Sequence, residues 1–154
     1  MSVEGSIEID APVDKVYALY MDLEGLPRLI EPLRKVERIS DTLTVWTWNR
    51  VPEPVRVEVV LVSARRNQRV EWKIERDAFP CKAVTEFHAL DGNRTRVVHR
   101  SEHDFGVFLC VSQQFILLAK RVTDEALRAM AKWAEATADE PLQRSRELTG
   151  AAAG

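Results

Sequence analysis

FGVFLCVSQQFILLAKRVTDEALRAMAKWAEAT, from Phe105 to Thr137, is the stretch that decides the fold. Phe108, Val111, Phe115, Leu118, Val122, Ala126, Ala129 and Trp133 recur at steps of three and four, which lays one apolar stripe along a helix of many turns. Gly106 marks where the helix can start, and no proline interrupts it before Pro141. The opposite face carries Gln113, Lys120, Arg121, Asp124, Glu125, Arg128, Lys132 and Glu135. A single long amphipathic helix needs a broad apolar partner. Here that partner must come from the residues before it.

Those residues read as strands. Thr95 to His103 and Cys81 to Leu90 flank Asp91-Gly92-Asn93, a strong hairpin signal. Upstream, Val70 to Glu75 alternates apolar and charged residues, the Arg65 to Gln68 turn separates it from Val55 to Ala64, and Pro52-Glu53-Pro54 separates that run from Leu43 to Arg50. Leu33 to Ile39 is a weaker strand. At the N-terminus Val3 to Ile9 alternates around an irregularity at Gly5, and then the period changes: Val13, Val16, Tyr17, Tyr20 and Met21 repeat at three and four behind Pro12. Gly25, Pro27 and Pro32 restrict the next segment to a second short helix around Leu26 to Ile30. The expected fold class is α+β, with a seven-stranded curved antiparallel sheet in meander order wrapped around the C-terminal helix and two short helices after the first strand. One helix about 10 Å wide does not fill the concave face of such a sheet. Side chains or a ligand fill the remainder.

The chain of 154 residues fits one domain, expected over residues 1–138, with a polar, small-residue tail over 139–154 expected to be disordered. A chain of this length buries roughly 70% of its unfolded surface. The formal net charge of -2 predicts no attraction to nucleic acid or anionic membrane. Arg65, Arg66 and Arg69 read as solvated strand ends. The N-terminus has no signal-peptide pattern, so a cytoplasmic address is the default, and the apolar run Val107 to Ala119 is shorter than the ~20 residues of a membrane span. Cys81 and Cys110 have no metal-site or redox spacing and are expected to be reduced and buried. No paired His/Cys cluster, phosphate loop or nucleophile elbow is present, so neither metal nor cofactor is expected.

Alternation assigns inner faces. In the last strand Arg96, Arg100 and Glu102 share a parity that would be costly inside, so Thr95, Val97, His99, Ser101 and His103 face the concavity. Two histidines thus share one face, with Ser101 between them. Each is either a candidate base or a satisfied pocket histidine bonded to Thr85 or a tyrosine. Cys81, Ala83, Thr85, Phe87 and Ala89 form the next inner face, Val55, Val57, Val59 and Leu61 an apolar wall, and Trp72 joins Val70 and Ile74. The pattern leaves the parity of Trp46 and Trp48 open. Val60 and Val62 fall on the outer face and hint at a partner surface.

This order of elements, with Ile9-Asp10-Ala11-Pro12-Val13-Asp14-Lys15-Val16-Tyr17, Asp22-Leu23-Glu24 with Leu26-Pro27, Arg69-Val70-Glu71-Trp72 and Asn93-Arg94-Thr95-Arg96-Val97, resembles the SRPBCC superfamily, and within it the polyketide cyclase/dehydrase and lipid-transport group. The likeness covers roughly residues 3–137. It implies the helix-grip fold of START domains and an internal hydrophobic cavity under the C-terminal helix. Its motifs mark turns and core contacts rather than chemistry. The implied ligand-binding set is Tyr17, Trp48, Val57, Val59, Trp72, Thr85, Phe87 and Ser101 on one side, with Phe108, Val111, Phe115, Leu118 and Val122 on the helix. The leading expectation is a carrier or sequestering protein, monomeric or homodimeric, for a hydrophobic aromatic polyketide, quinone or lipid-like molecule. The alternatives are a polyketide cyclase/dehydratase with His99 or His103 as general base, and a non-catalytic interaction module. Aromatase/cyclases resembling this fold carry an inward arginine, and the inner strand positions assigned here have none.

Overall fold

The structure, a computed structural model, describes residues 1–49, 52–75, 80–104 and 109–137, without the side chains of 109–112. The expected tail over 139–154 and the helix start at Gly106 lie outside the described residues. Strand β1 (Ser2–Ile9) leads into helix α1 (Val13–Met21) and a 3-10 helix (Leu23–Arg28), followed by β2 (Leu33–Arg38), β3 (Leu43–Trp48), β4 (Val55–Arg65), β5 (Arg69–Ile74), β6 (Cys81–Leu90), β7 (Arg94–His103) and α2 (Leu109–Ala136). The chain forms one seven-stranded sheet in the order β1-β7-β6-β5-β4-β3-β2, antiparallel at every pairing. The meander from β2 to β7 is the expected one, and β1 closes it by adding to the outside of β7.

Local chemistry sets the element ends. Pro12 stands extended just before α1 and its carbonyl accepts the amides of Lys15 and Val16. Pro27 sits inside the 3-10 helix, which stops at Arg28 because the following residues turn into β2. Gly92 and Asn93 take φ of 73° and 56°, a left-handed pair that reverses the chain between β6 and β7 and that a β-branched side chain would resist.

Helix α2 runs beside β1. Lys120 Nζ lies 2.6 Å from the Glu4 carbonyl and Glu135 Oε1 accepts the Asp10 amide at 3.1 Å. Between those two points the helix advances about 22 Å and the strand about 20 Å. The two therefore travel side by side in the same direction. The Lys120 ammonium also caps a carbonyl of an edge strand, which hinders edge-to-edge pairing.

Gly5 is the point of closest approach. A Cβ there would stand 3.0 Å from Leu127 Cδ1, 3.0 Å from Thr123 Cγ2 and 3.1 Å from Asp124 Oδ1. The irregularity of the first strand is thus a slot for the helix. The face of α2 that reaches the core is Leu127, Met130, Ala131 and Ala134, packed with Ile9, Val16, Leu19 and Val97. This corrects the expected stripe. Val122 and Ala126 lie beside the buried face rather than at its centre, and Leu118 is 57% exposed, with Leu117 at 71%. Apolar residues occupy more than one face of this helix, so two stripes of spacing three and four can be drawn, and the slot at Gly5 selects the one through Leu127.

Candidate functional site

Register places the inner residues in rows across the sheet. Gly5 pairs with His99, His99 with Thr85 and Thr85 with Val70; Val3 pairs with Ser101, Ser101 with Ala83, Ala83 with Trp72 and Trp72 with Leu61. Thr85, Thr95 and Val97 are fully buried and Ser101 nearly so, as the alternation requires. Trp46 pairs with Val57 and Trp48 with Val55, so both tryptophans share the inner face with the apolar wall of β4. That fixes the parity left open by the sequence. The cause is Thr44, which is buried, accepts Trp46 Nε1–H at 2.8 Å and donates to the Val59 carbonyl at 3.2 Å. The two indoles lie 6.1 Å apart at 33° and both remain partly exposed.

Helix α1 is pinned to this face by Phe87. Tyr17 and Tyr20 meet its ring edge-on at 5.4 Å and 5.3 Å. Tyr20 then enters a buried polar chain. Trp72 Nε1–H donates to Tyr20 Oη at 2.9 Å, Tyr20 Oη lies 2.8 Å from Thr85 Oγ1, and Thr85 Oγ1 lies 2.8 Å from His99 Nδ1. Residues from α1, β5, β6 and β7 are thereby tied at one point. Burial raises the Tyr20 hydroxyl above its ordinary pKa, against its bonds to Thr85 and Trp72. Burial, reinforced by the neighbouring His103, lowers His99 to about 4. At neutral pH its imidazole is uncharged.

His103 stands toward the open end of the sheet. Its Nε2 lies 2.9 Å from Ser101 Oγ, its ring meets Phe115 edge-on at 5.4 Å, and its carbonyl accepts the Met1 amine at 3.0 Å. Burial and then the amino-terminal charge depress its pKa. It lines a cleft of about 530 Å³ with Met1, Ile74, Pro80 and Cys81, rimmed by Lys73, Lys82, Glu75, Glu102 and Asp104. A second opening, a groove of about 240 Å³, lies where Val122 and Ala126 of α2 face Leu29, Ile30 and Pro32. Cys81 is a free thiol, partly exposed rather than fully buried, and burial pushes it up to about 11.

Among the expected site residues, the structure gathers Tyr17, Val57, Val59, Trp72, Thr85, Phe87, His99 and Ser101 on the concave face, with Trp48 at its β3 side and His103 with Phe115 at the cleft. Val122 belongs to the groove and Leu118 to the exposed surface. Phe108 and the side chain of Val111 lie outside the described residues. Tyr20 links α1 to Trp72 and Thr85, and its spacing of three from Tyr17 is the signal that both tyrosines share a helix face. Arg121, on the polar face of α2, is exposed and holds Glu125 at 3.0 Å. Among the described residues no three His, Cys, Asp or Glu side chains converge as a metal would require, and no helix is long and apolar enough to cross a membrane.

Residues 1–144 match the family described as polyketide cyclase / dehydrase and lipid transport. The chain belongs to that family. The helix-grip architecture of this member is that of START-like proteins. The protein TTHA0849 of Thermus thermophilus superposes with a TM-score of 0.77 over 89% of this chain and 99% of that one, at 19% identity. The Zhui aromatase/cyclase of Streptomyces sp. R1128 superposes at 0.71 over 89% and 94%, also at 19% identity. At such identity the likeness is one of fold. An uncharacterized 17.2 kDa protein from the melC2-rnhH intergenic region of Streptomyces lincolnensis is 27% identical over 96 residues, 62% of this chain. The match spans 64% of that curated relative's length.

Proposed function

We propose that this family member binds a hydrophobic, ring-containing small molecule between the concave face of its sheet and α2, as a carrier or sequestering protein. The observation that carries the reading is the inner face itself: apolar across β4 and β5, with Trp46, Trp48 and Tyr17 only partly covered, and ending at Ile74, Cys81 and His103, which line a cleft of about 530 Å³. That volume suits a small-molecule site. Partly covered indoles offer stacking surface to a flat ligand. Thermal unfolding in the presence of quinones, aromatic polyketides and lipids tests it, since a ligand bound only by the folded chain raises the midpoint. A midpoint that moves with none of these classes contradicts it.

A second reading, a polyketide cyclase/dehydratase, draws support from the family description and from His103. An uncharged imidazole beside the Ser101 hydroxyl at the cleft is suited to take a proton from a carbon next to a carbonyl. Turnover of a poly-β-ketone substrate that survives His103→Gln would remove that mechanism.

A further inference from the structure

The chain of bonds ending at His99 has a direction. An indole N–H only donates, so Tyr20 Oη is an acceptor from Trp72. The Tyr20 O–H then needs an acceptor of its own, and among the described residues Thr85 Oγ1 is the group in reach. Thr85 Oγ1 can accept twice but has one O–H of its own to place, and among the described residues His99 Nδ1 is the acceptor in its reach. Reversal of the whole chain would leave the Tyr20 hydroxyl with no acceptor, and a proton on Nδ1 donated to Thr85 would leave the buried Thr85 hydroxyl with none; either is a loss of roughly tenfold or more in the population of that arrangement. Hydrogen positions thus follow from satisfying every donor. His99 Nδ1 is an acceptor, and the ring proton resides on Nε2.

Nε2 is the distal nitrogen of an inner-face side chain, and the helix passes the same row of the sheet, where Gly5, the partner of His99, meets Leu127 and Thr123. The ring is mostly enclosed but not sealed, and no bond to Nε2 is present among the described residues. We propose that His99 is held as the Nε2–H tautomer and presents that N–H to a carbonyl oxygen, so the site selects uncharged apolar ligands bearing a carbonyl over hydrocarbons of the same shape. This rests on the binding reading above and gives it a ligand class. It also separates the two histidines: His99 is a binding residue locked as a donor, whereas a proton-accepting role belongs to His103. The depressed pKa of His99 agrees with a ring that stays neutral across the physiological range.

The test has two parts on the full-length chain. In protein labelled with ¹⁵N-histidine, ring correlations identify the protonated nitrogen of His99, assigned by its loss in His99→Gln. Nε2–H is expected, and Nδ1–H overturns the proposal. Binding is then compared for menadione and 2-methylnaphthalene, which share a ring system and differ in the two carbonyl groups. Menadione is expected to bind about tenfold more tightly, the contribution of one hydrogen bond, and His99→Phe to erase the difference. Equal affinity of the wild-type chain for both overturns the selection while leaving the cavity reading intact. Binding of neither contradicts the cavity reading and removes the ligand class with it. The tautomer and the wild-type comparison need no variant to fold.

Discussion

Leu127 occupies the space that a side chain at Gly5 would need, with its Cδ1 3.0 Å from the ideal Cβ position. The packing of α2 on β1 therefore depends on a missing side chain. Gly5→Val should push the helix off the strand and cost about 1–3 kcal/mol in urea unfolding, the usual scale of overpacking. Adding Leu127→Ala should relieve part of the clash, so the double variant loses less than the sum of the two. Strict additivity would show that the helix does not meet the strand here.

Thr85 joins Tyr20 to His99, and it is wholly buried. Thr85→Val keeps the shape and removes the hydroxyl, leaving a buried tyrosine donor and an imidazole nitrogen unmet. A loss of about 1–3 kcal/mol is expected, with Tyr20→Phe/Thr85→Val again below the sum of its parts. A neutral Thr85→Val would mean that the chain of bonds contributes nothing to folding.

His99 titrates near 4 in the fold against an ordinary 6.5. Because the folded value is depressed, the unfolded chain binds the extra proton between those pH values, and stability rises with pH across that window. Acidification from 6.5 to 4 should therefore cost on the order of 3 kcal/mol from this residue, with His103 shifted in the same direction. In His99→Gln, the profile of unfolding free energy against pH should be flatter through the window. An unchanged slope would place the acid sensitivity elsewhere.

Cys81 is held near 11 against an ordinary 9 by burial alone. Only the thiolate reacts, so a chain with Cys110→Ala should be modified by a disulfide reagent at neutral pH on the order of a hundredfold more slowly than an unfolded cysteine. Full denaturation should restore the rate. Fast labelling of the native chain would show that the cleft leaves the thiol far more open.

The order of elements and the inner faces of β4 to β7 were legible because charged residues at one parity leave a single choice for the other, as Arg96, Arg100 and Glu102 do for His99 and Ser101. In β3 both parities carry apolar or aromatic residues, and the decision rests on Thr44 bonding across to Val59, a contact between strands that no local pattern encodes. The face of α2 was ambiguous for the same reason, since Leu127 and Val122 each lie on a plausible stripe. The pairing of β1 with β7 joins residues nearly a hundred apart in sequence, such as Val3 and Ser101. The role of Tyr20 likewise depends on β5 and β6 arriving from elsewhere in the chain to meet it. Pairwise chemistry was readable at Thr85 and His99, but its continuation to Trp72 was not.

On the proposed reading, the concave face holds a hydrophobic small molecule. Native mass spectrometry of the protein purified from its own host, followed by organic extraction, tests it most directly. The expected result is a stoichiometric adduct that dissociates on extraction as an apolar, ring-containing compound. A mass equal to the bare chain in every preparation would contradict the carrier reading.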